Sequence, residues 1–145
     1  MIPDFRHSTE IQIRWGDMDA LGHVNNAVYL TYLEQARVQY MADLRMWDAR
    51  VSRMGLIMAR VVLDYKLPLL ATDRVATVFS RVSRLGNKSF DMAQLITRRV
   101  NDEYEIAAEG TITLVVFDYP ANQSIAIPEE WRAAFKAYEP LNPSE

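Results

Sequence analysis

The chain has no cysteine among its 145 residues. That excludes a disulfide scaffold, thiolate zinc sites, iron–sulfur clusters and a cysteine nucleophile together. Histidine is nearly as scarce. His7 and His23 are the only two, and with no thiolate between them their spacing does not read as a metal site. Glycine is limited to five residues. No G-x-G-x-x-G, G-x-x-x-x-G-K-[ST] or G-x-S-x-G occurs, so those phosphate cradles and a serine nucleophile elbow drop out. Positive charge is not in excess: 16 basic against 19 acidic side chains leave a net charge of −3. That balance argues against nucleic acid as a partner. No apolar run approaches the roughly 20 residues of a membrane helix. Asp4, Arg6 and His7 interrupt the start, where the apolar stretch of a signal peptide would lie. The expected compartment is the cytoplasm.

What remains is the composition of a folded domain, half hydrophobic and 24% charged. The length suits one domain, and residues 1–145 are read as one. Ile11, Ile13 and Trp15 alternate with polar residues over 8–15, which predicts a half-buried strand. The next eleven residues, G-D-M-D-A-L-G-H-V-N-N, predict a loop. Over 26–45, Tyr29, Leu33, Ala36, Tyr40 and Leu44 recur at helical spacing, and Leu30, Arg37 and Met41 widen the stripe. So broad a stripe predicts a helix wrapped by other elements. Asn25 or Asn26 can cap it, and Glu34 can pair with Arg37.

Period two then returns. Residues 57–67 predict a strand with Ile57, Val61, Leu63 and Tyr65 on one face. Further strands are predicted over 74–85, 88–99 and 104–118, joined by short turns that imply antiparallel pairing. Pro128, Glu129 and Glu130 announce a short C-terminal helix over about 128–138, with Trp131 and Phe135 on one face. The expected class is α+β: one long helix wrapped by a curled antiparallel sheet of about five strands. Exposed sheet edges call for a partner, and a dimer joining two sheets meets that need.

The densest polar cluster is Asp17, Asp19, His23, Asn25 and Asn26, just before the long helix. Unpaired N–H groups at a helix start can stabilise the oxyanion of an attacked acyl carbonyl. A nearby carboxylate can serve as base or nucleophile. The same residues also suit plain turn and cap hydrogen bonds. A second cluster, Arg81, Arg84, Asn87 and Lys88, suits either phosphate contacts or a solvated hairpin tip.

The segment I-R-W-G-D-M-D-A-L-G-H-V-N-N-A-V-Y-L-T-Y-L-E-Q-A-R, residues 13–37, resembles the signature of the hotdog-fold acyl-thioesterases. It is most similar to the 4-hydroxybenzoyl-CoA thioesterase family. The resemblance implies a hotdog fold with sheets joined across a homodimer, or a homotetramer of two dimers, and sites at the subunit interface. It implies an acyl-CoA thioester hydrolase, with Asp19 as the catalytic carboxylate and the Asn26 backbone N–H polarising the carbonyl. His23 is a further catalytic candidate, from a likeness to plant acyl-carrier-protein thioesterases. Leu21 stands where those enzymes carry an asparagine. Arg84, Asn87 and Lys88 are candidates for the CoA phosphates, and Trp15 and Tyr29 for the acyl pocket. No cofactor or metal is expected, because CoA enters as part of the substrate. An acyl carrier protein in place of CoA, and a protein that binds acyl thioesters without hydrolysing them, stand as the alternatives.

Overall fold

The structure is a computed structural model that describes residues 2–46 and 54–141. Its elements are β1 (His7–Gln12), α1 (Asn26–Asp43), β2 (Met54–Tyr65), β3 (Val75–Leu85), β4 (Ser89–Val100), β5 (Glu103–Asp118), β6 (Gln123–Ser124) and α2 (Glu129–Tyr138). Short 3-10 turns lie at Trp15–Asp17 and Ala71–Asp73. All strands pair antiparallel in one sheet, in the order β1-β3-β4-β5-β2, with β6 added to β5.

The helix α1 therefore joins the two opposite edges of the sheet, and the curled sheet wraps it. Tyr29, Tyr32, Leu33, Ala36, Tyr40 and Met41 are buried on the side of the helix that faces the sheet, while Thr31, Glu34, Gln35, Val38 and Gln39 on the other side are exposed. The buried residues meet Val78, Val82, Met92, Ile96, Ile112 and Leu114 from the strands. One polar pin sits beneath the middle of α1. The buried Gln94 amide donates to the Leu33 carbonyl (3.1 Å) and to Ser80 Oγ (3.0 Å). Glu34 and Arg37 do not form the expected direct ion pair among the described residues. Burial draws the Arg37 pKa down, and the charge of Glu34 opposes that shift from a distance.

The expected face of β2 is corrected by a bulge. The register against β5 shifts between Met58 and Arg60. An extra residue reverses which side chains face inward. Leu56 packs on the core before the bulge, and Val61 and Leu63 after it, while Ile57 is 39% exposed. The strand β2 is also an edge. Met58, Val62 and Tyr65 are exposed along it, and it runs beside β5 so closely that a Cβ on Gly110 would strike the Val62 carbonyl.

The C-terminal helix is part of the same core. Trp131 and Phe135 are buried, and Trp131 Nε1 donates to the Met46 carbonyl at 3.0 Å. Phe135 lies 5.0 Å from Phe90. Pro128 is the cap of α2 rather than part of its first turn, and the pairing of β6 with β5 was not legible in so short a segment. At the far end of α2, the buried Glu139 accepts from Tyr40 Oη (2.9 Å) and the Val82 N–H (2.7 Å). Burial raises its pKa, and those two donors oppose the rise. Trp131→Ala is expected to cost about 3–5 kcal/mol in urea unfolding, the usual penalty for emptying a buried aromatic site.

Candidate active site

The polar loop is stitched twice to its surroundings. The Ile13 N–H continues the β1 pairing onto the Arg74 carbonyl (2.8 Å), and the chain then winds into the Trp15–Asp17 turn. Gly22 takes φ +80°, a left-handed conformation that suits glycine. The chain returns beside itself, with the Val24 N–H on the Leu69 carbonyl (2.8 Å) and the Asn25 N–H on the Asp17 carbonyl (2.9 Å).

Asp17 is the anchor of this loop. It is 3% exposed. Its carboxylate accepts from Tyr32 Oη (2.6 Å), the Arg14 N–H (3.0 Å) and the Arg14 guanidinium (3.0 Å). Burial alone would raise its pKa. The donors from Tyr32 and Arg14 outweigh that and hold it below the usual carboxylate range. The partner phenol moves the other way: burial, and then the bond to Asp17, push the Tyr32 pKa up.

Asp19 is held differently. Its Oδ1 accepts from the Leu21 N–H (2.9 Å) and the His23 N–H (3.1 Å), and its own N–H donates to the His23 carbonyl (2.7 Å). Its Oδ2 has no hydrogen bond among the described residues. One oxygen is fixed by the loop and the other is unengaged.

The start of α1 is equally selective. Asn25 is the cap: its Oδ1 takes the Ala27 N–H (2.9 Å) and its carbonyl takes the Val28 N–H (2.8 Å). The Asn26 N–H is left without an acceptor among the described residues, at the positive end of an 18-residue helix. Asp19, His23, Asn26, Tyr29, Tyr65 and Lys66 all line one cleft of about 350 Å³. Both of its tyrosine hydroxyls are engaged internally. Tyr29 Oη accepts from the Leu69 N–H (3.0 Å) and donates weakly to the Leu67 carbonyl (3.4 Å). Tyr65 Oη donates to the Asn26 carbonyl (2.7 Å). Burial raises both pKa values and keeps the phenols protonated. The ring faces, 5.0 Å apart between centroids, form a wall.

The remaining expected site residues lie elsewhere in the chain. Trp15 is outside the cleft and 90% exposed, because the 3-10 turn ends the strand alternation at Ile13. Asn87 and Lys88 are exposed at the β3–β4 turn. The Arg84 guanidinium grips Asp91 with Nε (2.8 Å) and Nη2 (3.2 Å). Ala108 pairs with Tyr65 on one side and Ile96 on the other, whereas Ser89 pairs with Val115. The turn is therefore at the opposite end of the sheet, about 23 Å along β4 at the usual strand rise. The single chain does not bring the two halves together. No three His, Asp or Glu side chains among the described residues converge to hold a metal ion.

The sequence model of the thioesterase-like superfamily matches residues 13–135. The chain belongs to that superfamily. Its fold is the hotdog fold, and it is a thioesterase. It is 29% identical over 126 residues to the long-chain acyl-CoA thioesterase FadM of Escherichia coli, covering 86% of this chain and 92% of FadM. It is 30% identical over 107 residues to the acyl-acyl carrier protein thioesterase ATL2 of Arabidopsis thaliana, covering 72% of this chain and 56% of that one. Among solved structures, a thioesterase from Thermus thermophilus, complexed with coenzyme A and zinc, superposes with a TM-score of 0.80. The two are 34% identical, over 95% of this chain and 97% of that one.

Sequence reasoning about this thioesterase missed Tyr65 and Lys66 in the cleft. Tyr65 and Lys66 read only as the end of a strand until the β2–β5 register sets them beside α1. Tyr32 was legible as a core position but not as a donor to Asp17. The Asp17 arrangement ties stability to pH. Its depressed pKa contributes stability that is present above the usual carboxylate range and is lost as pH falls through the depressed value. Tyr32→Phe should therefore lower the unfolding free energy by roughly 1.5–3 kcal/mol at pH 7. The deficit should close in acid, as followed by thermal melts from pH 7 down to pH 2.

Proposed function

We propose that this thioesterase hydrolyses acyl-CoA, with Asp19 and the Asn26 N–H as the reacting pair. The observation that carries this reading is that both line the same cleft, one with an unengaged carboxylate oxygen and the other with an unengaged donor. The thioester carbonyl is polarised by the Asn26 N–H, aided by the helix dipole. Asp19 Oδ2 either attacks the carbonyl carbon, giving a mixed anhydride that water then cleaves, or deprotonates the attacking water. In both routes the C–S bond breaks and the thiolate of CoA leaves, taking a proton to become the thiol. His23 offers a further donor at the cleft wall. The likenesses to a long-chain acyl-CoA thioesterase and to a thioesterase complexed with CoA support CoA as the carrier. The likeness to ATL2 supports a second reading, the same chemistry on an acyl carrier protein.

The separation of the cleft from the 86–88 turn supports a homodimer built on the outer side of β2, the last strand of the sheet among the described residues. Antiparallel pairing of two β2 strands about a two-fold sets the Met54 end of the partner beside the Tyr65 end of this chain. The partner's β3–β4 turn then lies at the cleft end. In this reading Lys88 and Asn87 serve the other subunit's CoA phosphates. Arg84, committed to Asp91, stiffens the hairpin. The Arg132 guanidinium, on the Gly86 carbonyl at 2.8 Å, supports it from α2.

Two measurements test the reading. In thiol-release assays over short, medium, long-chain and aromatic acyl-CoAs, Asp19→Asn should fold normally and lose at least ~10²-fold in kcat. Near-normal turnover would remove Asp19 from the chemistry. Lys88→Ala should raise KM for acyl-CoA more than for the matching acyl-pantetheine, which lacks the nucleotide. Equal effects on both would remove Lys88 from phosphate binding.

A further inference from the structure

We infer that Tyr65 is a positioning residue for the reaction: from the end of the edge strand β2, its hydroxyl holds the first turn of α1 so that the Asn26 N–H stays aimed into the cleft. The inference rests on the proposed role of that N–H.

The bond is specific in a way that packing does not require. Tyr65 is 45% exposed, at the last position of its strand. A tyrosine so placed can leave its hydroxyl in water. Instead the hydroxyl reaches across 39 residues of sequence to the Asn26 carbonyl at 2.7 Å. A helix carbonyl has two lone pairs, so it can accept this bond beside its own helical one. The phenol is held as a donor, since burial raises its pKa.

The first turn of α1 is thereby fixed from three directions. Asn25 caps it from the loop through the Ala27 N–H. Tyr65 grips it from β2. Tyr29, one turn in and 5.0 Å from the Tyr65 ring, returns the contact by accepting the Leu69 N–H, just beyond the end of β2. The two tyrosines cross-stitch the same pair of elements in opposite directions. A carbonyl fixed at residue 26 limits the tilt of the peptide before it, and that peptide carries the Asn26 N–H. An oxyanion donor is effective only when it is pre-aimed, so a small loosening here falls on the transition state more than on substrate binding. Because Tyr65 belongs to the edge strand, pairing of that edge with a second subunit would also stiffen this contact.

The test is a double-mutant cycle of Tyr65→Phe with Asn26→Pro. Proline is tolerated at the first helical position, and there it removes the N–H together with the Asn26 side chain; Asn26→Ala, which keeps the N–H, serves as the control for the side chain. The readouts are kcat and KM with lauroyl-CoA, together with the melting temperature. Tyr65→Phe keeps the ring and removes one oxygen. It should lower kcat about tenfold, the cost of one misaligned hydrogen bond, with KM within twofold and the melt nearly unchanged. In the Asn26→Pro background it should have no further effect on kcat. If Tyr65→Phe leaves kcat within twofold while Asn26→Pro abolishes turnover, the positioning role is overturned and the reading beneath it survives. If Asn26→Pro turns over normally, that reading itself fails. A Tyr65→Phe loss that persists in full beside Asn26→Pro, or that follows the melting temperature, would make Tyr65 a merely structural residue.

Discussion

The arrangement depends on a single burial requirement, that of α1. Its buried side chains form one broad face, from Tyr32 round to Met41, wider than one flat sheet could cover. A curled sheet can, and the chain achieves this by placing the strands before and after the helix on opposite edges. The polar pin from Gln94 to the Leu33 carbonyl sets the helix on the sheet at its centre. A purely greasy contact would permit sliding, whereas a buried hydrogen bond penalises any register that leaves it unmade. With the helix fixed, its N-terminus must emerge over the segment that follows β2. The cleft is the consequence.

Two carboxylates two residues apart divide the labour there. Asp17 is buried with three donors and stays ionised because they outweigh the cost of desolvation. It serves the loop. Asp19 is more open, with one oxygen fixed by backbone N–H groups and the other unengaged. The difference arises from the surroundings, since the side chains are identical. In the proposed mechanism, thioester cleavage suits so spare a site. A thiolate is a good leaving group, so a carboxylate and one aimed donor can meet the electrostatic demand of the acyl transition state.

The distribution of residues over the sheet bears on assembly. The cleft and the basic turn occupy opposite ends of one chain, and β2 is a long edge with exposed apolar side chains. The proposed antiparallel two-fold at that edge would resolve both features at once: it would pair the edge strand and bring opposite ends together. The C-terminal helix fits the same scheme. Through Arg132 it holds carbonyls of the turn that would face the partner.

Local pattern was enough to read the long helix, the four strands after it, their antiparallel pairing and the acidic loop, because helical and strand periodicities are properties of neighbouring residues. The family resemblance carried by the D-x-D and H-V-N-N residues pointed to Asp19 in the loop and to Asn26 at the helix start. Three matters lay beyond local pattern. The bulge at Met58–Arg60 set Ile57 on the opposite face from Val61 and Leu63, since one inserted residue breaks the alternation without leaving a mark in the composition. Trp15 looked like a pocket residue and faces solvent, because a turn replaced the strand two residues earlier than alternation implied. Tyr65 reached Asn26, and Tyr32 reached Asp17, through contacts that no short window contains. Alternation records which residues seek burial. Which groups then meet is set by register and by the packing of the helix on the sheet, and those arise only when the whole chain closes on itself.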